Sequence, residues 1–415
     1  MENIVAEIIA IGDELLCGQT LDTNSHWISA ELDKAGIPVK RRVTVGDQRE
    51  EILKAFAEAE QRAQVILITG GLGPTPDDLT KPCLAEYFNC ELKINEEALA
   101  EITEFFRRRG RELTELNRQQ AALPTASVKI TNPIGTAPGM WFDKGTRVFM
   151  SMPGVPHEMK KMVTEQVIPR LRDKYTLPVI HHTIIRTAGL GESFLVDRIS
   201  EWENSLPAHF KLAYLPGISE VKLRLTGTGP SLSKLEVEAK ALTGRLELIV
   251  GEYIYGYGEG TIEATIGELL RTKGLTLAIA ESCTGGYLSH LITSVPGSSD
   301  FFLGGMVAYS NQAKNTLLGV NSETLSTHGA VSEATIIEMA NQARLRFHAD
   351  IGVATSGIAG PDGGTDEKPV GTVWIAFSDK HETTARRLQF TKDRMLNVRL
   401  ASAAVLNMIR VRVAK

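Results

Sequence analysis

The chain has 415 residues, more than one hydrophobic core ordinarily organises, so two or three domains are expected. A formal net charge of −5 argues against a general nucleic-acid-binding role, and no apolar run is long enough to span a bilayer. The opening Met1-Glu2-Asn3 has no basic region and reads as no secretory signal; Cys17, Cys83, Cys90 and Cys283 show no CxxC spacing, so neither a zinc site nor a disulfide framework is expected and a reducing cytoplasm fits best.

In chain order, Val5 to Ile11 reads as a strand, and Asp22 to Ser25 as a cap before a helix from His26 to Lys34. Gly36 and Pro38 break that helix; a strand over Val39 to Val45, a helix over Glu50 to Ala63 and a strand over Val65 to Ile68 follow. This alternation predicts a parallel sheet with helices on both faces. The third strand runs into Thr69-Gly-Gly-Leu-Gly-Pro-Thr-Pro-Asp-Asp-Leu-Thr80, a glycine-rich turn at the strand end where doubly wound folds bind ligands. Asp77 and Asp78 can hold a divalent cation there; equally, the segment reads as a turn with an Asp cap for the next helix.

These pieces, with Gly12-Asp-Glu-Leu-Leu-Cys-Gly18, Asp22-Thr-Asn24, Asn132-Pro-Ile-Gly-Thr-Ala-Pro-Gly139 and Met152-Pro-Gly-Val-Pro-His-Glu-Met159, resemble the molybdopterin-binding-like N-terminal domain of the competence-damage-inducible CinA family. The resemblance implies hydrolysis of the ADP-ribose pyrophosphate with a divalent metal, Mg2+ or similar. It makes Asp78 the functional aspartate and a metal ligand with Asp77, and Asp13, Gly70, Gly71 and Gly73 substrate contacts. It covers roughly the first 170 residues.

A helix from Glu158 to Tyr175 closes this domain, and Leu177-Pro178 marks a boundary. Beyond it, strands are expected at His181 to Thr187, Phe210 to Tyr214, Glu220 to Thr226 and Glu247 to Val250, with helices at Glu192 to Ser205 and Ser231 to Gly244. They form a small α+β connecting domain read as a linker or dimer scaffold. Gly256-Tyr-Gly-Glu-Gly260 is the second boundary, giving domains 1–176, 177–255 and 256–415.

The last domain opens with a helix from Ile262 to Arg271, capped by Thr261, and a strand from Leu275 to Ala280. The stretch Glu281-Ser-Cys-Thr-Gly-Gly286 follows, before a helix from Tyr287. Ser282 therefore sits at a strand–helix turn, where free N–H groups and the helix dipole favour an anion. It reads as a nucleophile, or with Thr284 as a plain helix cap. Gly285 and Gly286 have no side chains and would let a ligand approach the backbone, and Thr284 beside them is a further substrate-binding candidate. Cys283, with no adjacent His, reads as a packed residue.

Asp300 to Tyr309 reads as a strand entering Tyr309-Ser-Asn-Gln-Ala-Lys314, which brings Tyr309 and Lys314 towards Ser282 if the two strands are neighbours. A lysine made neutral by burial can act as a base, with Tyr as relay. Strand Ile351 to Ala354 delivers Ser356 and the loop Gly357-Ile-Ala-Gly-Pro-Asp-Gly-Gly364 to the same edge, so Ser356 is a candidate oxyanion or ribose contact, with Gly357 and Gly360 lining it. Val370 to Phe377 is a further strand. A helix from about Lys392 carries Arg394 and Arg399, either of which could clamp a phosphate.

Those loops, with Gly329-Ala-Val-Ser332 and Lys368-Pro-Val-Gly-Thr-Val373, resemble the C-terminal domain of the CinA family, which is similar to nicotinamide mononucleotide deamidase. The resemblance implies conversion of nicotinamide mononucleotide to nicotinate mononucleotide and ammonia, no cofactor for that reaction, Ser282 as nucleophile, and Tyr309 and Lys314 as its activating partners. Ser356 replaces a Thr common in the family. The expected whole is an α/β bifunctional hydrolase of pyridine nucleotide salvage and a homodimer, with neither membrane nor nucleic acid as partner. The rival reading is a nucleotide- or pterin-binding module with an assembly role.

Overall fold

The computed structural model describes residues 4–414, which form two compact units. Of the described residues, the first comprises 4–181 with 228–235, the second 182–227 with 236–414.

The first unit is built on a six-stranded sheet. Its strands are β1 (Ala6–Ile11), β2 (Val39–Val45), β3 (Val65–Thr69), β6 (Val128–Ile130), β7 (Gly139–Lys144) and β8 (Arg147–Met152); β4 (Leu92–Ile94) and β5 (Ala122–Pro124) form a separate pair. The order is β2-β1-β3-β8-β7-β6. The first four strands are parallel, as expected, but β7 pairs antiparallel with β8 and β6 antiparallel with β7, extending the sheet.

Alternation explains the layering. Ile9, Ile11, Ile66 and Ile68 enter one core, and Ile8, Val65 and Leu67 the opposite one, so both faces are covered. Each fully buried large apolar side chain contributes about 1.5–3 kcal/mol. Glu7 is the charged exception on β1, held bidentately by Arg62 at 2.7 and 3.0 Å. The helix Thr23–Lys34 begins where Asp22 accepts from Ser25 N–H at 2.8 Å, a turn earlier than the apolar pattern alone predicts.

In the connecting segment, β9 (Val179–Ala188), β10 (Phe210–Pro216), β11 (Glu220–Gly229) and β12 (Ile254–Tyr257) form a sheet ordered β10-β11-β9-β12. Glu247 to Val250 is not a strand. It is the last turn of the helix Leu232–Val250, which runs through Gly244 and stops at Gly251. A lone glycine weakens a helix by only about 1 kcal/mol, too little to end one whose neighbours pack. The fourth strand is instead Ile254–Tyr257, so Gly256 lies within the sheet, opposite Arg186.

The rest of the second unit holds a five-stranded sheet of β13 (Leu277–Glu281), β14 (Phe302–Val307), β15 (Ile351–Gly357), β16 (Thr372–Ser378) and β17 (Thr383–Gln389), in the order β14-β13-β15-β16-β17. β14, β13 and β15 are parallel, and the last two strands are antiparallel additions. Large residues such as Leu277, Ile279 and Val353 enter one core. The other face carries Ala278, Ala280 and Ala354. These small side chains let the helix Glu333–Arg346 lie close: a Cβ on Gly352 would stand 2.2 Å from the Ala340 carbonyl oxygen. In register, Glu281 faces Val307 on one side and Thr355 on the other. The carboxyl ends of three parallel strands thus deliver Ser282, Ala308-Tyr309 and Ser356 to one edge.

Candidate active site

At that edge the Lys314 ammonium nitrogen lies 2.9 Å from Ser282 Oγ, 3.0 Å from the Ala308 carbonyl oxygen and 3.1 Å from that of Tyr309. Lys314 is 1% exposed and Ser282 7%. Ser310 places the lysine: its hydroxyl caps the short helix Asn311–Ala313 by accepting from Ala313 N–H at 3.0 Å, and Lys314 follows directly. Burial pushes the amine's pKa below its usual 10.5, and among the described residues no carboxylate pairs with it. The amine donates to all three oxygens, the Ser282 hydroxyl and the two carbonyls.

The turn around Ser282 is held from several sides. Ser282 N–H donates to the Thr355 carbonyl at 2.9 Å, and the Thr284 and Thr355 hydroxyls are 2.7 Å apart. Gly285 and Gly286 have φ of 61° and 99°, the left-handed region that lets the chain reverse into the helix Tyr287–Thr293. Neither Ser282 nor Thr284 caps that helix; the carboxylate of Glu281, 0% exposed, does. Burial raises the Cys283 thiol to about 12, so it stays protonated at neutral pH and is no rival nucleophile.

A cavity of about 200 Å³ opens over these atoms, lined by Ser282, Tyr309, Lys314, Ser356, Gly357 and Arg394 among others. Ser356 donates to the Ala330 carbonyl at 2.7 Å, which draws the Gly329–Ser332 motif into the wall. Tyr309 contributes to Lys314 through its carbonyl. The residue is 57% exposed and its hydroxyl accepts from Arg394 Nη2 at 2.8 Å, not from Lys314 or Ser282. Arg394 also donates to the Gly360 carbonyl at 2.9 Å. Arg399 is elsewhere, in a crevice of about 540 Å³ with Arg186 and Tyr255.

In the first unit, a cavity of about 480 Å³ is lined by Gly70, Gly71, Gly73, Asp77 and Asp78, together with Glu14, Asp22, Asp47 and Glu158. Asp78 is turned onto its own loop, accepting from Thr75 N–H at 3.0 Å and packing over Gly73. Asp77 is held below the usual carboxylate range by a hydrogen bond from Thr75. Asp13 and Asp47 exchange backbone-to-carboxylate hydrogen bonds at 3.0 and 3.2 Å. Burial raises the Asp47 pKa, and nearby Asp13, Glu14 and Asp77 raise it further. Among the described residues no group of three or more His, Cys, Asp and Glu could hold a metal ion.

A family model described as "CinA C-terminal domain" matches residues 259–413, one described as "Probable molybdopterin binding domain" residues 7–173, and one described as "Damage-inducible protein CinA KH domain" residues 182–256. A "CinA-like protein" of Cytophaga hutchinsonii is 48% identical over 408 residues, covering 98% of both chains. The chain belongs to the CinA family. A "Putative competence-damage inducible protein" of Halothermothrix orenii is 42% identical over 395 residues, covering 95% of each chain. A solved CinA superfamily structure from Klebsiella pneumoniae is 36% identical and covers 37% of this chain and 96% of that one, with a TM-score of 0.36.

In this CinA-family chain the fold brings Ser282, Lys314, Ser356, Gly357, Arg394 and the Tyr309 backbone together. It leaves Thr284 buried against Thr355 and Arg399 outside the cavity. Sequence reasoning missed Asp47, although Gly46-Asp47 ends β2 at the same sheet edge as the glycine loop. It also missed Asn397, buried and donating to the Ala359 carbonyl at 2.9 Å, which holds the loop that binds Arg394. Among the described residues no helix is long and apolar enough to cross a membrane.

Proposed function

We propose that the C-terminal region of this CinA-family protein deamidates nicotinamide mononucleotide. The observation that carries the reading is the 2.9 Å contact between Lys314 and Ser282 in a buried pocket without a paired carboxylate. Ser282 Oγ attacks the carboxamide carbon while its proton passes to Lys314. The C–N bond then breaks, Lys314 returns the proton to the departing nitrogen, and ammonia leaves an ester on Ser282. Water attacks that ester, again giving a proton to the amine, and nicotinate mononucleotide departs with the serine restored. The Ser282 N–H is taken by the Thr355 carbonyl, that of Gly285 by the Ser282 carbonyl and that of Gly286 by Glu281, so among the described residues those of Cys283 and Thr284 are the candidate donors to the oxyanion. A cavity of about 200 Å³ has room for the pyridine carboxamide but not the whole nucleotide, which supports a pose with ribose and phosphate extending toward the exposed Tyr309 and Arg394. The test is ammonia and nicotinate mononucleotide formed in equal amounts, with a rate insensitive to chelator.

For the first unit we propose hydrolysis of the ADP-ribose pyrophosphate, giving AMP and ribose 5-phosphate. Asp77 and Asp78 line the glycine-loop cavity, and two carboxylates suffice for Mg2+ when substrate phosphates complete its shell. Such an ion would neutralise the pyrophosphate charge. One observation favours the second reading, a binding module without catalysis: the Asp78 carboxylate is already engaged by Thr75. Measuring AMP release from ADP-ribose with and without Mg2+ separates the two.

A further inference from the structure

Glu281 is a fully buried carboxylate one residue before the nucleophile of the proposed reaction. It accepts from Gly286 N–H at 3.0 Å and Leu288 N–H at 3.1 Å through Oε2, and from Ser289 N–H at 2.8 Å and the Ser289 hydroxyl at 2.6 Å through Oε1. The other early N–H groups of the helix are also engaged: Tyr287 donates to the Thr284 carbonyl at 3.0 Å and His290 to that of Gly286 at 2.9 Å. Every N–H of that helix end thus has a partner, and its positive end already faces a carboxylate. An anion could dock there only by displacing Glu281. Among the described residues Arg394, by contrast, gives one bond each to a hydroxyl and a carbonyl and has no ion-pair partner. Most of its five N–H donors are left for a ligand.

We propose that Glu281 is the positioning residue for Ser282. It ties β13 to the helix across the turn that carries the hydroxyl, and it closes the helix end to substrate anions, leaving Arg394 to take the phosphate. This rests on Ser282 being the nucleophile, but not on the identity of the amide.

The experiment follows the rate at which a fluorophosphonate labels Ser282, read by mass spectrometry on protein shown by circular dichroism to be folded. Glu281→Gln places an NH2 among the donors, and Glu281→Asp keeps the charge but shortens the reach. Both should label at least about tenfold more slowly than wild type, whereas Ser289→Ala, which removes one donor of four, stays within about threefold. Either Glu281 variant labelling within twofold of wild type while only its melting temperature falls would reduce Glu281 to a plain cap and overturn the proposal. The second arm compares nicotinamide mononucleotide with nicotinamide riboside. Arg394→Ala should abolish the preference for the phosphorylated substrate, and Glu281→Asp should preserve it while lowering kcat on both. A preference that survives Arg394→Ala places the phosphate elsewhere and overturns the second half. Labelling without any ammonia release would sink the substrate reading and leave the positioning role to be judged on labelling alone.

Discussion

Lys314 Nζ and Ser282 Oγ, 32 positions apart in sequence, meet at 2.9 Å because β13 and β14 are parallel neighbours ending at the same level. The amine is buried while its hydrogen-bonding capacity is met by two backbone carbonyls and one hydroxyl. Burial lowers its pKa, while the three oxygens leave no donor unsatisfied.

Replacing Lys314 by Met keeps length and apolar packing and removes the amine. Deamidation by Lys314→Met should fall by about 10²–10⁴-fold, the usual worth of a general base. In wild type the rate should rise with pH through the lowered lysine pKa, since only the neutral amine accepts a proton. A pH–rate profile of the variant should lack that limb; its persistence would assign the base to another group.

Tyr309 supplies a carbonyl to Lys314, and among the described residues its hydroxyl bonds Arg394 alone. Tyr309→Phe should therefore retain the Lys314-dependent limb and lose less rate than Lys314→Met. Arg399→Ala should leave kcat/KM within about twofold, as expected of a surface change away from the chemistry. Steady-state kinetics on the two variants decide both points, and a large loss in Arg399→Ala would mean that the larger crevice takes part in the reaction.

Asp78→Asn should remove ADP-ribose hydrolysis and leave deamidation intact, since Ser282 and Asp78 lie in separate compact units. An AMP-release assay checks this. Hydrolysis that resists both the substitution and a chelator would leave the glycine loop as a binding element.

The strand-end loops were legible because each glycine-rich motif follows an apolar run, and parallel strands bring such loops to one edge. What was not legible depended on direction within an element. Arg394 and Arg399 are five residues apart, about 140° around a helix, so they face different cavities. Glu281 could not be read as a cap because it precedes the helix by a whole turn and reaches it only after Gly285 and Gly286 reverse the chain. Tyr309 meets Lys314 through its carbonyl while its hydroxyl, expected to act as a relay, accepts from Arg394, a distinction that residue type does not carry.

Lys81 gives a pH-dependent stability test. Burial pulls its pKa from 10.5 down to about 8, and its amine donates to the Gln120 carbonyl at 2.7 Å. Between those values the unfolded chain binds the proton more tightly than the folded one, so folding stability rises with pH across that window. Denaturant unfolding should show wild type gaining on Lys81→Met between pH 8 and 10.5, with no relative change below pH 8. A constant difference across the window would mean that the lysine is not desolvated.

The most direct test of the Ser282 assignment is ammonia release from nicotinamide mononucleotide by wild type and by Ser282→Ala at equal folded concentration. The wild type should turn over, and the variant should be slower by several orders of magnitude, about what loss of a nucleophile costs. Its melting temperature should stay close to that of wild type, because Glu281 and not Ser282 caps the helix. Turnover by Ser282→Ala at the wild-type rate would contradict the account.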